Sequence, residues 1–264
     1  NACPLCVYRG IVCSLPRCCE AILVVERYLR SIGVGKLRRR SEIIKVFLLT
    51  VGLTLLCAFA SAYFTAFDLG FYENQWEKLG VPQAAGIPMD DLLSTGRVLA
   101  RYFRGQIDTP QTTVTVRGEP RELFNEKELT HLSDVKVLFK NGLLILELLG
   151  VQLVGIGFFL TRTQERRPIS RAFLIAGTAT LAVIALLAIP AKTDFTGFWT
   201  RFHLLTFTND LWLLDPSTDL LINIFPEGFF SAAALRIALT AAGISLIYIA
   251  LSFLVRHFSP DHRH

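Results

Sequence analysis

The chain has 264 residues, of which 52% are hydrophobic and 19% charged, with a formal net charge of +5. That apolar share is high for a soluble domain, and its concentration in blocks is the pattern of a membrane protein. The basic excess lies beside those blocks, which argues against nucleic acid as a partner and for anionic lipid headgroups.

Five of the six cysteines, Cys3, Cys6, Cys13, Cys18 and Cys19, fall in the first 19 residues. Cys3 and Cys6 make half of a zinc or redox motif, but the spacing to Cys18 and Cys19 does not complete a zinc ribbon. Residues 1–42 therefore read as a cytoplasmic extension, in a compartment where disulfides are unusual. With Asn1 in first place, a truncated or processed start is expected. The apolar run from Ala21 to Val25 is too short for a signal peptide and lacks a small-residue cleavage site. Residues 20–31 have the makeup of a short amphipathic helix at the membrane surface.

Four apolar blocks follow, at 46–67, 143–160, 172–191 and 229–255. Each supplies close to the ~20 residues that a helix needs to cross the hydrocarbon core. Cys57, inside the first, is expected to pack as a small apolar group. Lys36, Arg38, Arg39, Arg40 and Lys45 precede the first block. Arg162, Arg166, Arg167 and Arg171 separate the second from the third, and Arg256 and Arg263 follow the fourth. Positive-inside placement puts these segments, and both termini, in the cytoplasm. The predicted fold is an α-helical membrane protein with four transmembrane helices and a small extracytoplasmic α+β cap domain. Its spans run 43–67, 138–160, 172–191 and 229–255. The cap is 68–137 and a second outer, interfacial segment is 192–228, while 161–171 is a cytoplasmic basic loop and 256–264 a cytoplasmic tail.

In the cap, Phe71, Tyr72 and Trp76 read as an aromatic interface anchor. Residues 90–103, after Pro88, have helical spacing, with Leu92, Leu93, Val98, Leu99 and Phe103 on one side. Residues 112–116 alternate Thr and Val and read as a strand ended by Gly118, Glu119 and Pro120. Asn125, with Glu128 three residues on, predicts a helix start through a capping pair. That helix carries Leu129, Leu132, Val135, Leu138 and Phe139 on an apolar stripe. Running on into the second span, it would hold His131 roughly two turns above the lipid. In the second outer segment, residues 195–207 suit a helix in the headgroup layer. Asp215 and Pro216 signal a turn, and 220–225 lead into the last span.

These two outer segments also hold the candidate chemistry. His131 and Asp134 share a helix face, so the carboxylate is placed to orient the imidazole as in an acid/base dyad. The plain alternative is an exposed histidine with a solvated neighbour. His203 has Arg201, Asn209 and Asp210 nearby in sequence, and Asn209 is a candidate donor to a developing oxyanion. Its plain alternative is an interfacial histidine in an aromatic belt. In the outer segments no His-x-x-x-His and no Cys pair stands at ligand spacing, so no metal and no cofactor are expected. Glu147 and Arg236 interrupt the second and fourth spans at similar depth. An ion pair between them is the economical expectation, because lone charges in lipid are costly. Gripping a polar headgroup is the functional alternative.

Three groups of residues are familiar together. One runs from Glu128 through Thr130, His131, Ser133 and Asp134 to Lys136. The second joins Phe202, His203, Asn209, Asp210, Trp212, Asp215, Pro216 and Asp219, and the third is Phe225, Pro226, Glu227, Gly228, Phe229 and Phe230. They resemble a bacterial four-span membrane protein family that includes the lipoprotein intramolecular transacylases, over roughly 45–255. The resemblance implies an acyltransferase at the outer face of the cytoplasmic membrane. Its substrate would be a diacylated lipoprotein, and the acyl chain would move from the sn-2 oxygen of the diacylglyceryl group to the α-amine of the N-terminal cysteine. The essential histidines would be His131 and His203, with Asp134, Arg201 and Asn209 in support. The competing expectations are a non-catalytic membrane protein with an outward-facing binding or assembly surface, and a transporter.

Overall fold

A computed structural model describes the backbone of residues 16–162 and 166–257, and side chains from residue 39 onward with the exception of Thr161. Cys3, Cys6, Cys13 and Arg263 lie outside the described residues, as does the middle of the basic loop between the second and third spans. The chain divides into two units, residues 1–48 and 49–264. The described part of the first is helical throughout. Residues 20–31 are thus part of helix α1 (Pro16–Ala66) rather than a separate short helix.

Four helices contain segments long and apolar enough to cross a membrane: Arg39–Ala66 in α1, Glu126–Leu160 in α5 (Glu126–Arg162), Arg166–Thr193 in α6 (Arg166–Thr193) and Glu227–His257 in α9 (Glu227–His257). Their outward faces are mostly apolar. On α5, Leu144, Leu148, Val151, Val154 and Phe158 are exposed, as suits a helix whose solvent is lipid. Small residues set the packing of α6 on α9. A Cβ on Gly177 would lie 2.7 Å from the Ser245 carbonyl oxygen, so only glycine permits the backbones to come this close. Ala172 and Ala176 are fully buried, and the Ser170 hydroxyl donates to the Ser252 carbonyl at 3.0 Å. Cys57 is buried as expected.

Between α1 and α5 lie α2 (Leu69–Lys78), α3 (Val81–Ala85), α4 (Met89–Phe103), β1 (Thr113–Val116) and β2 (Glu119–Glu122). Asp68 caps α2, its Oδ1 accepting from the backbone N–H groups of Gly70 and Phe71. The predicted strand has a partner that the sequence reading did not assign. β2 pairs antiparallel with β1, Val116 opposite Glu119, across a two-residue turn at Arg117 (φ 52°) and Gly118 (φ 90°). Positive φ at both central residues is what a tight hairpin of this hand requires, and Gly118 supplies it without strain. Pro120 is tolerated because the sheet has only two strands.

The core under this region corrects two expectations. Trp76 is fully buried and its indole donates to the Ile224 carbonyl at 2.8 Å, while Phe71 packs on Phe229. These are core residues and not an interface anchor. On α4 the buried face is Leu92, Thr95, Gly96, Leu99 and Tyr102, with Leu93 and Phe103 packed against its edge, so of the expected stripe only Val98 lies outside the core. Phe195–Thr206 forms α7, and Leu220–Ile224 forms a short helix, α8, ahead of α9.

Candidate active site

The start of α5 is fixed before its histidine is reached. The Asn125 backbone N–H donates to Glu128 Oε2 at 2.8 Å, and Asn125 Oδ1 accepts from the Glu128 N–H at 3.0 Å. This reciprocal capping box satisfies donors that a helix end leaves open. The Glu128 carboxylate, 1% exposed, also accepts from the Leu221 N–H at 2.6 Å. Asn125 Nδ2 donates to Asp219 Oδ1 at 2.9 Å, and Lys127 reaches Asp219 Oδ2 at 3.4 Å and the Leu213 carbonyl. Asp219 Oδ2 further accepts from the Asp215 N–H at 2.8 Å. The segment after α7 is thereby stitched to the first turns of α5.

That stitching sets two imidazoles against each other. His131 lies on the second turn of α5 and His203 on the last turn of α7. Their ring centroids are 6.2 Å apart and the planes are inclined by 32°. They are 8% and 7% exposed, so His131 is not the solvated histidine of its plain alternative, while His203 does sit among aromatic rings. Phe207 packs on both rings, at 5.2 Å from His131 and 5.7 Å from His203. Trp212 stacks on His203 at 4.7 Å, and Trp199 meets it edge-on at 4.7 Å.

The hydrogen bonds give the two rings different states. His203 Nδ1 lies 2.8 Å from the Trp199 carbonyl oxygen, one turn back on the same helix. A carbonyl only accepts, so Nδ1 carries the hydrogen and Nε2 is left with a free lone pair. Burial pushes the His203 imidazole below its ordinary value of 6.5, against the raising effect of the Trp199 bond. His131 Nδ1 is buried with no partner. Nε2 makes no hydrogen bond in either ring among the described residues, and in neither is it sealed from solvent. The pair thus presents two uncommitted Nε2 atoms in an apolar, aromatic setting. Such a site holds imidazoles neutral and free to exchange protons.

The other sequence candidates are distributed differently. Asp134 makes no hydrogen bond to His131. Its Oδ2 accepts from Asn209 Nδ2 at 2.9 Å, which ties the segment carrying Phe207 and Trp212 to α5. Asn209 is committed to that bond and, through Oδ1, to the Leu211 N–H at 3.1 Å. Arg201 is exposed and, two residues from His203, points to the opposite side of α7. Asp210 is exposed. Arg236 pairs with Asp68 Oδ2 at 2.5 Å instead of Glu147, which is exposed on the outer face of α5. A long arginine reaches up from its span to a carboxylate at the helix end, where hydration lowers the cost of both charges. Among the described residues, no three His, Cys, Asp or Glu side chains gather to hold a metal ion. The aromatic walls, Trp199, Phe207 and Trp212, were not singled out from sequence as site residues. The signal for Trp199 is its place four residues before His203, where its carbonyl meets the ring nitrogen.

Four membrane-crossing helices roofed by a small cap, with a buried imidazole pair beneath aromatic rings, define a membrane-embedded protein equipped for proton transfer. The profile of the lipoprotein intramolecular transacylase Lit matches residues 47–230, and the chain belongs to that family of acyltransferases. The fold is similar to the in meso structure of the membrane-integral transacylase Lit from Bacillus cereus. That match has a TM-score of 0.72 at 20% identity, covering 83% of this chain and 97% of that one. A variant of the same Bacillus cereus protein, with one histidine changed to arginine, matches with a TM-score of 0.71 at 18% identity. It covers 86% of this chain and 97% of that one. At these identities the likeness is one of fold. No curated protein matches the sequence.

Proposed function

We propose that this protein transfers an acyl chain within a diacylated lipoprotein, from the sn-2 oxygen of the diacylglyceryl group to the α-amine of the N-terminal cysteine. The product is an N-acyl, lyso-form lipoprotein. The observation that carries the reading, given the family, is the facing of His131 and His203 with both Nε2 atoms uncommitted. The amine nitrogen attacks the ester carbon as His203 Nε2 takes its proton. The bond from carbon to the sn-2 oxygen then breaks, and that oxygen receives a proton from the imidazole pair. The proton lost by the amine ends on the new hydroxyl, so no proton is gained or lost overall. Donor and acceptor belong to one molecule, so holding them together supplies much of the rate advantage.

In this reading His203 is the base, because its Nδ1 is already engaged by the Trp199 carbonyl. His131 faces it as the acid partner. Asp134 and Asn209 act on position, since their mutual bond holds the segment bearing Phe207 and Trp212. Arg201 and Asp210 have no part in the transfer. The protein works in the bacterial cytoplasmic membrane with the histidine pair on the extracytoplasmic face. The basic segments around Arg38–Arg40 and Arg166–Arg167 support that orientation, because they flank the other ends of the apolar blocks.

The test is mass spectrometry of a reporter lipoprotein's N-terminal peptide, from a host lacking its own N-acylation. Expression of this protein should give an N-acyl, monoacylglyceryl peptide, and His131→Gln or His203→Gln should give a diacylglyceryl peptide with a free amine. A free amine in every case, with the protein confirmed in the membrane, would overturn the proposal.

A further inference from the structure

The Asp68–Arg236 pair lies in a pocket that the histidine chemistry does not use. It has a volume of about 450 Å³ and is lined by Tyr63, Phe64, Phe67, Asp68, Arg104 and Arg236. Tyr63, Phe64 and Phe67 lie at the C-terminal end of the first span, so the pocket opens where hydrocarbon gives way to headgroups. Arg104 follows the last turn of α4 and lays its guanidinium over the Phe67 ring, 4.3 Å from the centroid. Its side chain makes no hydrogen bond to the described residues, so all five guanidinium N–H donors are open. Arg236 stands 4.9 Å over the Phe71 ring and commits one terminal nitrogen to Asp68.

Asp68 has little left to offer a ligand. Its Oδ1 caps α2 and its Oδ2 takes Arg236. The pocket therefore sets two cations against one fully engaged carboxylate, a net charge of +1, with five donors of one planar fork unspent. Phe64, 66% exposed, continues the wall outward along the lipid-facing side of the first span. A ligand for such a site has a negatively charged, oxygen-rich head for the guanidinium fork and an apolar body that runs down the helix. Bidentate geometry favours a phosphate or carboxylate oxygen pair, and the site's position favours a molecule that is already in the membrane.

We propose that this pocket binds the phosphodiester head of an anionic membrane phospholipid. The phosphate accepts from Arg104 and from the remaining donors of Arg236, and the acyl chains pass along Phe64. The excess positive charge selects a headgroup with net negative charge over a zwitterionic one carrying the same phosphate. The site is distinct from the histidine pair, and the proposal does not depend on the transacylase reading.

Native mass spectrometry of the full-length detergent-solubilised protein tests it, with phosphatidylglycerol and phosphatidylcholine of equal chain length as the probes. The unmutated protein should retain one phosphatidylglycerol with a preference of about tenfold, the scale of one charge-assisted contact. Arg104→Gln should abolish the preference. Arg121→Gln, which removes an exposed charge on β2, and His131→Gln should keep it. Equal retention of the two lipids, or a preference that survives Arg104→Gln, would overturn the proposal. So would an equal loss in Arg104→Gln and Arg121→Gln, which would mark a general surface-charge effect. Displacement of the lipid by an acidic peptide at equal concentration would assign the pocket to the lipoprotein chain and overturn the proposal as well. Should Arg104→Gln fail to fold, Arg104→Lys keeps the charge without the fork and should retain phosphatidylglycerol less tightly than the unmutated protein.

Discussion

Two groups of polar side chains stand close together around the start of α5 and are treated in opposite ways. Asn125, Glu128 and Asp219 each complete hydrogen bonds to the segments they anchor. One turn on, His131 and His203 face each other with Nδ1 of one ring unpartnered and both Nε2 atoms open. A buried polar atom without a partner costs about 1–3 kcal/mol, and folded proteins keep few of them. The first group is built to hold a shape. The second holds its bonding capacity in reserve, which is what a proton-transfer site needs.

The comparison breaks most sharply at the histidines. His131→Gln and His203→Gln keep the size and polarity of the rings and lose the titration. Each should lower transacylation by at least ~10²-fold, the scale of general acid–base catalysis, with the thermal midpoint little changed. A variant retaining most of its turnover would move that residue from the chemistry to the scaffold.

Glu128 should behave in the reverse way. Glu128→Ala strips acceptors from the backbone N–H groups of Asn125 and Leu221 and should destabilise the fold by about 2–3 kcal/mol. The measurement is a lowered thermal midpoint in detergent, together with faster proteolysis between α7 and α9. An unchanged midpoint would mean that water replaces the carboxylate and that the network is not a staple.

Asp134 lies between these extremes, and its two accounts separate by substitution. If it acts through the bond to Asn209, Asp134→Asn keeps an acceptor oxygen and should leave activity within about threefold. Asp134→Ala and Asn209→Ala should then each lose about tenfold, the worth of one buried hydrogen bond. If Asp134 acts by its charge on His131, Asn and Ala are equally harmful and Asn209→Ala is harmless.

What the sequence made legible follows the range of the forces involved. The four apolar blocks, the capping pair at Asn125 and Glu128 and the first hairpin strand are written in neighbouring residues, and each is present. The partner of Arg236 was not legible. Equal depth suggested Glu147, but depth says nothing about which way a side chain faces, and Glu147 points outward. Phe71 and Trp76 looked like an anchor because aromatic residues beside a span have two uses, and only the packing of Ile224 and Phe229 over them decides for the core. The two histidines could be picked out singly. Their approach depends on Glu128, Asp219 and Asn209 joining segments far apart in the chain, which no local pattern encodes.

The smallest effect concerns pH, and it bears on why the rings are buried at all. Burial lowers the His203 pKa below 6.5, so the ring stays neutral and able to accept a proton into mildly acidic conditions. Once the titration of the substrate's own α-amine, near about 8, is divided out of kcat/KM, the remaining rising limb should therefore lie below 6.5. The stability consequence has a definite sign. Between 6.5 and the lower folded value the unfolded chain binds more protons than the folded one, so stability falls as pH drops below about 6.5 and is fully present above it. Trp212→Ala removes the stacked indole and admits water beside His203, while the bond to the Trp199 carbonyl, which acts in the opposite direction, is kept. The limb should then move up toward 6.5, and the acid sensitivity of the thermal midpoint should shrink with it. A limb already at or above 6.5 in the unmutated protein would mean that desolvation does not set this base, and that the aromatic wall serves packing alone.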